Sequence, residues 1–223
     1  KFIHGVVFYD ENSNDIRDKS EQPLEGVAVN IYRIEEIERK SNDAGESMTI
    51  YGEKPAGRVI TNARGEYSLL VREGTYSVNL DVDTLPVGKG VNAANRLIEA
   101  GSQKSIDFPV KNIAEIQTGD DFKSIIYSGD YVILRPTCKD SRGNNLTANI
   151  RLFSEDDEVD AEVERCFIKP KTLKERKIVV HIDAGELQAS YPIKVKPPEI
   201  SSVERVNLAY EMGMIDEQSK YRI

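Results

Sequence analysis

The chain has 223 residues, with 30 basic against 38 acidic side chains, a net charge of −8, two cysteines and no tryptophan. That length suits two domains of ordinary size, and the acidic balance leaves no basic stripe for nucleic acid, which is set aside as a partner. No apolar run reaches the roughly 18 to 20 residues that span a bilayer. A chain that opens without Met, inside a strand-like run, reads as cut from something longer, with any sorting signal or anchor outside it.

The first 110 residues alternate apolar and polar positions in short runs: FIHGVVFY, VAVNIYRI, GRVITN, EYSLLV, TYSVNLDV and SIDFPV. Period-two alternation separated by turn chemistry predicts antiparallel strands of a sandwich rather than a parallel α/β sheet. Gly65 in NARG is read as a turn glycine, and Gly143 in DSRGN likewise. The segment VNAANRLIEAG, 91–101, has helical spacing and is expected to form a short helical turn or an irregular excursion before the last strand. Asp81 and Asp83 share one strand face; a second cation site is the sharper reading of such a pair, but they are read as solvent-facing acids.

A domain boundary is expected near residues 109–116. Beyond it IIYSGDYVILRPTC, LTANIRLF, AEVERCFIK, KIVVHIDA and LQASYPIKVK read as further strands, with turns at 140–145, 153–160 and 183–186. Cys138 and Cys166 stand 28 residues apart, which fits neither a zinc knuckle nor a CxxC redox motif. Two readings remain for them, a pair of buried thiols or one disulfide across a small sandwich. After the proline pair at 197–198 the period changes, and SSVERVNLAYEMGMI reads as an amphipathic helix with Ser201 or Ser202 as N-cap and Gly213 at the C-terminal stop.

Between the first two strands lies DENSNDIRDKSE, residues 10–21. A charge run between strands is most often a solvated loop, but here the spacing carries more. Asp10, Asn12 and Asn14 fall at positions one, three and five, Ile16 at seven offers its carbonyl, Asp18 falls at nine and Glu21 at twelve. That is the order of oxygen donors in a calcium loop, where hard ligands at alternate positions wrap the ion and a distal Glu closes it. Position six is Asp15 where Gly is usual, and Asp tolerates a left-handed backbone better than most residues. Strands on both sides exclude an EF-hand, so a calcium ion here would be structural, pinning a loop too rich in carboxylates to close unaided.

GVVFYDENSNDIRDKSEQPLEGVAVNIY, followed by GRVITNARGEYSLLVREGTYSVNLD and LPVG, resembles the SdrD B-like repeat of bacterial surface proteins, a relative of Cna B-type and prealbumin-like sandwiches. The resemblance covers about residues 1–110. It implies a calcium site on Asp10, Asn12, Asn14, the Ile16 carbonyl, Asp18 and Glu21. It departs from the family at Asp15 and in the insert EEIERKSNDAGESMTIYGEKPA. Some Cna B-type relatives carry a Lys–Asn isopeptide bond beside a buried acid, and no such trio stands out in this sequence. In the second half YVILRPTCKDSRGNNLTANIRLF is similar to the opening strands of bacterial Ig-like repeats. SSVERVNLAYEMGMID resembles the first helix of an S-layer homology module without its aromatic opening.

These readings predict an all-β fold of two consecutive β-sandwich domains, prealbumin-like over 1–112 and Ig-like over 113–198, with a short C-terminal helix in a tail, 199–223. His4 and His181 sit in strand patterns with no nucleophile context. Tyr9, Tyr32, Tyr67, Tyr76 and Tyr131 fall within strands as core candidates, leaving Tyr51, Tyr127 and Tyr191 open. The function expected is a non-enzymatic structural or spacer segment of a bacterial cell-surface or secreted protein, stiffened by calcium (Ca2+). Candidate partners beyond calcium are neighbouring domains of a longer chain, a host or extracellular matrix protein, or cell-wall polysaccharide. The competing readings are a ligand-binding module, adhesin or carbohydrate-binding, and an accessory domain of a larger secreted hydrolase.

Overall fold

A computed structural model describes residues 1–41, 47–101, 104–119, 122–130, 132–154, 159–162, 167–170, 172, 174–197, 207 and 209. In chain order the strands are β1 (Phe2–Tyr9), β2 (Ala28–Ser41), β3 (Ser47–Ile60), β4 (Glu66–Leu70), β5 (Thr75–Leu80), β6 (Lys89–Val91), β7 (Asn95–Glu99), β8 (Phe108–Asn112) and β9 (Glu115–Gln117). There follow β10 (Ile125–Tyr127), β11 (Val132–Ile133), β12 (Thr137–Lys139), β13 (Asn145–Ala148), β14 (Arg151–Ser154), β15 (Val159–Glu162), β16 (Phe167–Pro170), β17 (Arg176–Ala184) and β18 (Leu187–Lys196). The protein is all-β, as its alternation predicted. The expected helix after Pro198 lies outside the described residues except for Asn207 and Ala209, both helical. No helix among the described residues is long and apolar enough to cross a membrane.

The chain divides into two compact units: Lys1–Ala114 with Lys139–Asn149, and Glu115–Cys138 with Ile150–Ile223. The boundary near 109–116 is therefore where the first unit pauses rather than where it ends. The DSRGNN turn and β13, read from the sequence as the opening of the second sandwich, are part of the first.

In the first unit β1 pairs antiparallel with β4 and parallel with β8, β8 pairs antiparallel with β6, and β6 pairs antiparallel with β13. A second sheet runs in the order β3-β2-β5-β7. Alternation decides which side chains meet between them: Ile3 and Val7 from β1, Val29 and Ile31 from β2, Tyr76, Val78 and Leu80 from β5, and Phe108 and Val110 from β8 form one buried cluster. Tyr67 joins it from β4, and its hydroxyl donates to the Ile106 carbonyl at 2.6 Å, which satisfies a polar group that the core would otherwise strand. Gly65 takes a φ of +72° beside the Val7 carbonyl, the turn role expected of it.

Two segments depart from the sequence reading. Asn95–Glu99 is a strand paired antiparallel with β5, not a helical turn. The charged insert extends β2 and β3 into a ribbon paired from Ala28↔Ile60 to Ser41↔Ser47, with register shifts between Ile31 and Tyr32 and between Glu36 and Glu38, while β5 accompanies β2 only from Val29 to Arg33. Beyond that point Ile37, Met48 and Tyr51 are exposed.

The second unit holds a four-stranded sheet in the order β10-β18-β17-β14 and a three-stranded sheet in the order β11-β16-β15. Its core is the inward register of the β17–β18 hairpin, Ile178, Val180 and Ile182 with Ile193 and Val195, joined by Ile126, Leu134 and Leu152. His181 faces the other way, stacked on Phe153 at 5.1 Å with Nδ1 2.9 Å from Ser190 Oγ, the packing of a surface strand residue. Cys138 is buried; Cys166 lies outside the described residues, as do Tyr131, Ser201, Ser202 and Gly213.

Candidate cation site

The loop 10–21 is closed at its base by backbone. Asp10 N donates to Val110 O at 2.9 Å, Tyr9 N donates to Gln22 O at 2.8 Å, and Phe8 bridges Pro23. The strand β1 thus delivers Asp10 to the edge of the core, and the return of the chain delivers Glu21 beside it. Both end carboxylates are buried, Asp10 at 2% and Glu21 at 6% exposure, far from the ordinary solvation of a loop acid.

Within the loop the side chains at positions one, three and five accept from the backbone ahead of them. Asp10 accepts from Asn14 N through Oδ1 (3.0 Å) and from Asp15 N through Oδ2 (2.9 Å); Asn12 Oδ1 accepts from Asn14 N (3.0 Å) and Asn14 Oδ1 from Ile16 N (2.8 Å). These bonds wind the backbone of 10–16 into a tight turn. Asp18 Oδ2 accepts from the amides of Asn12 (2.7 Å) and Asn14 (3.2 Å), and Asp18 N donates to Glu21 Oε2 (2.9 Å). The five side chains named from the sequence are therefore gathered in one hydrogen-bonded loop. The Ile16 side chain points out, 65% exposed, as suits a residue offered for its carbonyl.

Asp15 has a φ of +64° and Ser13 a φ of +57°. The left-handed position that Gly would fill is thus occupied by Asp15, as its tolerance for that region allows; the second such position, at Ser13, had no signal in the sequence.

The fit of this loop to a cation turns on Glu21. Its Oε1 is buried with no hydrogen-bond partner among the described groups, and a buried carboxylate oxygen left bare is costly. No group of three or more His, Cys, Asp or Glu side chains among the described residues stands ready as a metal cage, so a cation here depends on the amide and backbone oxygens as much as on the carboxylates. The amide NH2 groups of Asn12 and Asn14 now donate to Asp18, and an ion would have to replace them there.

The structure adds residues that the sequence reading missed. Lys111 on β8 is buried at 1% exposure, and its Nζ lies 2.7 Å from Asp15 Oδ1, 3.5 Å from Asp140 Oδ2 and 3.7 Å from Asp10 Oδ2. It donates to Asn92 Oδ1 at 2.5 Å. The turn that carries Asp140 meets the loop directly: Arg142 Nη2 donates to Asn12 O at 3.1 Å, and Ser13 Oγ lies 3.4 Å from Ser141 Oγ. The one available signal was a lysine amid the buried positions of FPVKNI. Asp81 and Asp83, expected on one strand face, instead fall at the 3-10 turn Val82–Thr84 that follows β5, and Asp81 is engaged by Arg58 at 3.1 Å.

Burial alone would push the Asp140 carboxyl up, but hydrogen bonds from the Asn144 backbone and side chain and the Arg142 backbone, with the Lys111 charge, bring it below the ordinary carboxylate value. Its contribution to stability is complete above about pH 4, the unfolded value, and is lost as pH falls through the lowered native one. Urea midpoints at about pH 5 and about pH 2.5 are expected to fall further for the native chain than for Asp140→Asn, which has no such proton to take up. Equal falls would mean the carboxylate is not held by these partners.

No protein-family model matches the chain, and no curated protein matches it. Among solved structures, domains 4 and 5 of the S-layer protein SbsC are similar at 17% identity and a TM-score of 0.33, over 56% of this chain and 66% of that one. The shaft pilin SpaA from Lactobacillus rhamnosus GG overlays at 8% identity and a TM-score of 0.34, over 90% of this chain and 100% of that one. The full-length major pilin SpaD from Corynebacterium diphtheriae overlays at 11% identity and 0.34, over 87% and 65%. Likenesses of this size carry no functional information.

Proposed function

We propose that the chain is a structural segment of a bacterial cell-surface or secreted protein, and that calcium bound by Asp10, Asn12, Asn14, the Ile16 carbonyl, Asp18 and Glu21 stiffens its first unit. The observation that carries the calcium reading is the buried, unpartnered Glu21 Oε1 at the closing position of a loop whose opening carboxylate is buried too. The surface setting is supported by the resemblance of residues 1–110 to SdrD B-like repeats. When bound, the ion supplies charge neutralisation and a rigid link between the ends of the loop; the chain supplies the oxygens and closes their base against β8.

Extracellular modules bind calcium at about 10⁻⁴ to 10⁻³ M, so about 2 mM calcium adds roughly 0.6–1.8 kcal/mol to the folded form. Thermal melts of the whole chain in excess EGTA and in about 2 mM calcium, with magnesium as control, test this. A calcium-specific rise of a few degrees is expected, abolished by Asp10→Ala and by Glu21→Ala; the absence of any such rise would end the calcium reading and leave a loop closed by its own hydrogen bonds.

A further inference from the structure

The two ends of the loop differ, and calcium accounts for only one of them. At one end Glu21 Oε1 has no partner. At the other, Asp10 already has a cation: the Lys111 ammonium, 3.7 Å from Asp10 Oδ2, with side chains of 0% exposure on both sides of the pair. A buried ammonium is tolerated only when it is paired and hydrogen-bonded, and here Asn92, Asp15 and Asp140 complete its shell.

The charge balance is therefore lopsided along the loop. Asp10 and Asp15 share the ammonium with Asp140, which brings the 139–149 segment into the same shell. Asp18 is served by two amides, and Glu21 retains a bare oxygen. A divalent ion drawn to the Glu21 end must share Asp10 with a positive charge fixed on β8. Like charges sharing one buried carboxylate repel strongly where water is excluded.

We propose that the Lys111 ammonium is a resident cation of the 10–21 loop, which neutralises its Asp10 end before calcium arrives and sets a weak affinity for the calcium taken up at the Glu21 end. This rests on the calcium reading above. It explains how a loop with buried acids at both ends can close: the lysine does permanently, at one end, what the ion does reversibly at the other. It also gives Asp15 a purpose beyond its backbone conformation, since a glycine there would leave the ammonium without its shortest ion pair.

The test is calcium titration calorimetry on the whole chain as native sequence, Lys111→Met and Asp140→Asn, with intact mass measured beforehand. Methionine keeps the unbranched stem and removes the charge. Lys111→Met is expected to bind calcium about tenfold more tightly and to melt lower in EGTA, with calcium restoring most of the loss. Asp140→Asn keeps one acceptor oxygen for the Arg142 and Asn144 amides of the turn but takes one counter-charge from the ammonium, throwing more of it onto Asp10; calcium binding is expected to weaken several-fold. Equal or weaker binding by Lys111→Met, with the native chain binding, overturns the proposal and leaves the calcium reading intact. If Lys111→Met binds and the native chain does not, the resident cation stands and calcium is no ligand of the native loop. If neither binds, both fall. Should Lys111→Met fail to fold in either medium, Asp140→Asn decides, and unchanged or tighter binding overturns the idea. A native mass lower by one ammonia, with the Lys111 and Asn92 peptides joined, also overturns it, because no ammonium would remain.

Discussion

Residues 1–114 produced without 139–149 are expected to be less stable than residues 1–149 by about 3 kcal/mol. The missing segment supplies β13, paired to β6 through Thr147↔Val91 and Ala148↔Gly90, and Leu146, which is 8% exposed. It also supplies Asp140, one of three carboxylates around Lys111. Taking away one partner of a buried ion pair leaves an under-compensated charge, a larger loss than any surface bridge. Asp10, Asp15 and Asn92 remain, so the loss is partial rather than complete. Urea denaturation of the two fragments checks it; equal midpoints would show that the 139–149 hairpin is an appendage and not part of the fold.

Gly5→Ala is expected to cost more than about 4 kcal/mol and to prevent folding of the first unit. A Cβ at Gly5 would stand 1.8 Å from the Ile106 carbonyl oxygen and 2.8 Å from the Tyr67 hydroxyl. Neither can retreat, because Ile106 N donates to His4 O at 3.0 Å and Tyr67 donates to that same Ile106 carbonyl. Gly57→Ala is the matched control: the atoms nearest its Cβ would be those of the Leu69 side chain, the two methyl groups at 2.8 and 3.1 Å, which rotate aside, and a loss under about 1.5 kcal/mol is expected. Circular dichroism and thermal melts of both variants separate the cases; a well-folded Gly5→Ala protein would show that β1 can shift away from Ile106.

The strands of the first unit were legible because their core side chains recur on one face, Ile3 and Val7, Val29 and Ile31, Tyr76, Val78 and Leu80, so FIHGVVFY, VAVNIYRI and TYSVNL carry their orientation in their own alternation even where Phe8 and Ser77 on the opposite face are buried too. The 91–101 segment was not. Val91, Ala94 and Ile98 are spaced as on a helix, yet pairing with β5 makes 95–99 a strand in which Leu97 is 71% exposed; a partner strand outweighs local period. The insert of charged residues gave no hint of a ribbon, since its apolar residues Ile37, Met48 and Tyr51 stay in solvent. At the loop the side chains that the structure ties into one hydrogen-bonded turn, Asp10, Asn12, Asn14, Asp18 and Glu21, were readable because their spacing is a local property of one turn of chain. Lys111 was not, because what makes it part of the site is a distance across the fold and not along the sequence. Asp140 was hidden more deeply still, since a discontinuous unit breaks the assumption that a domain is one stretch of chain.

Strand directions in the first unit bear on how it would carry a load. β1 and β8 are parallel, β8 and β6 antiparallel, β6 and β13 antiparallel, so β1 and β13 run the same way. The chain enters this sheet at the start of β1 and leaves it at the end of β13, at opposite ends of the strand axes. Tension along the chain therefore acts as shear, spread over the rungs between neighbouring strands, instead of peeling them apart one by one. Had the unit ended at β8, the force would fall on the Val7–Phe108 to Tyr9–Val110 register alone; the returning hairpin draws β6 and β13 into the same line of pull.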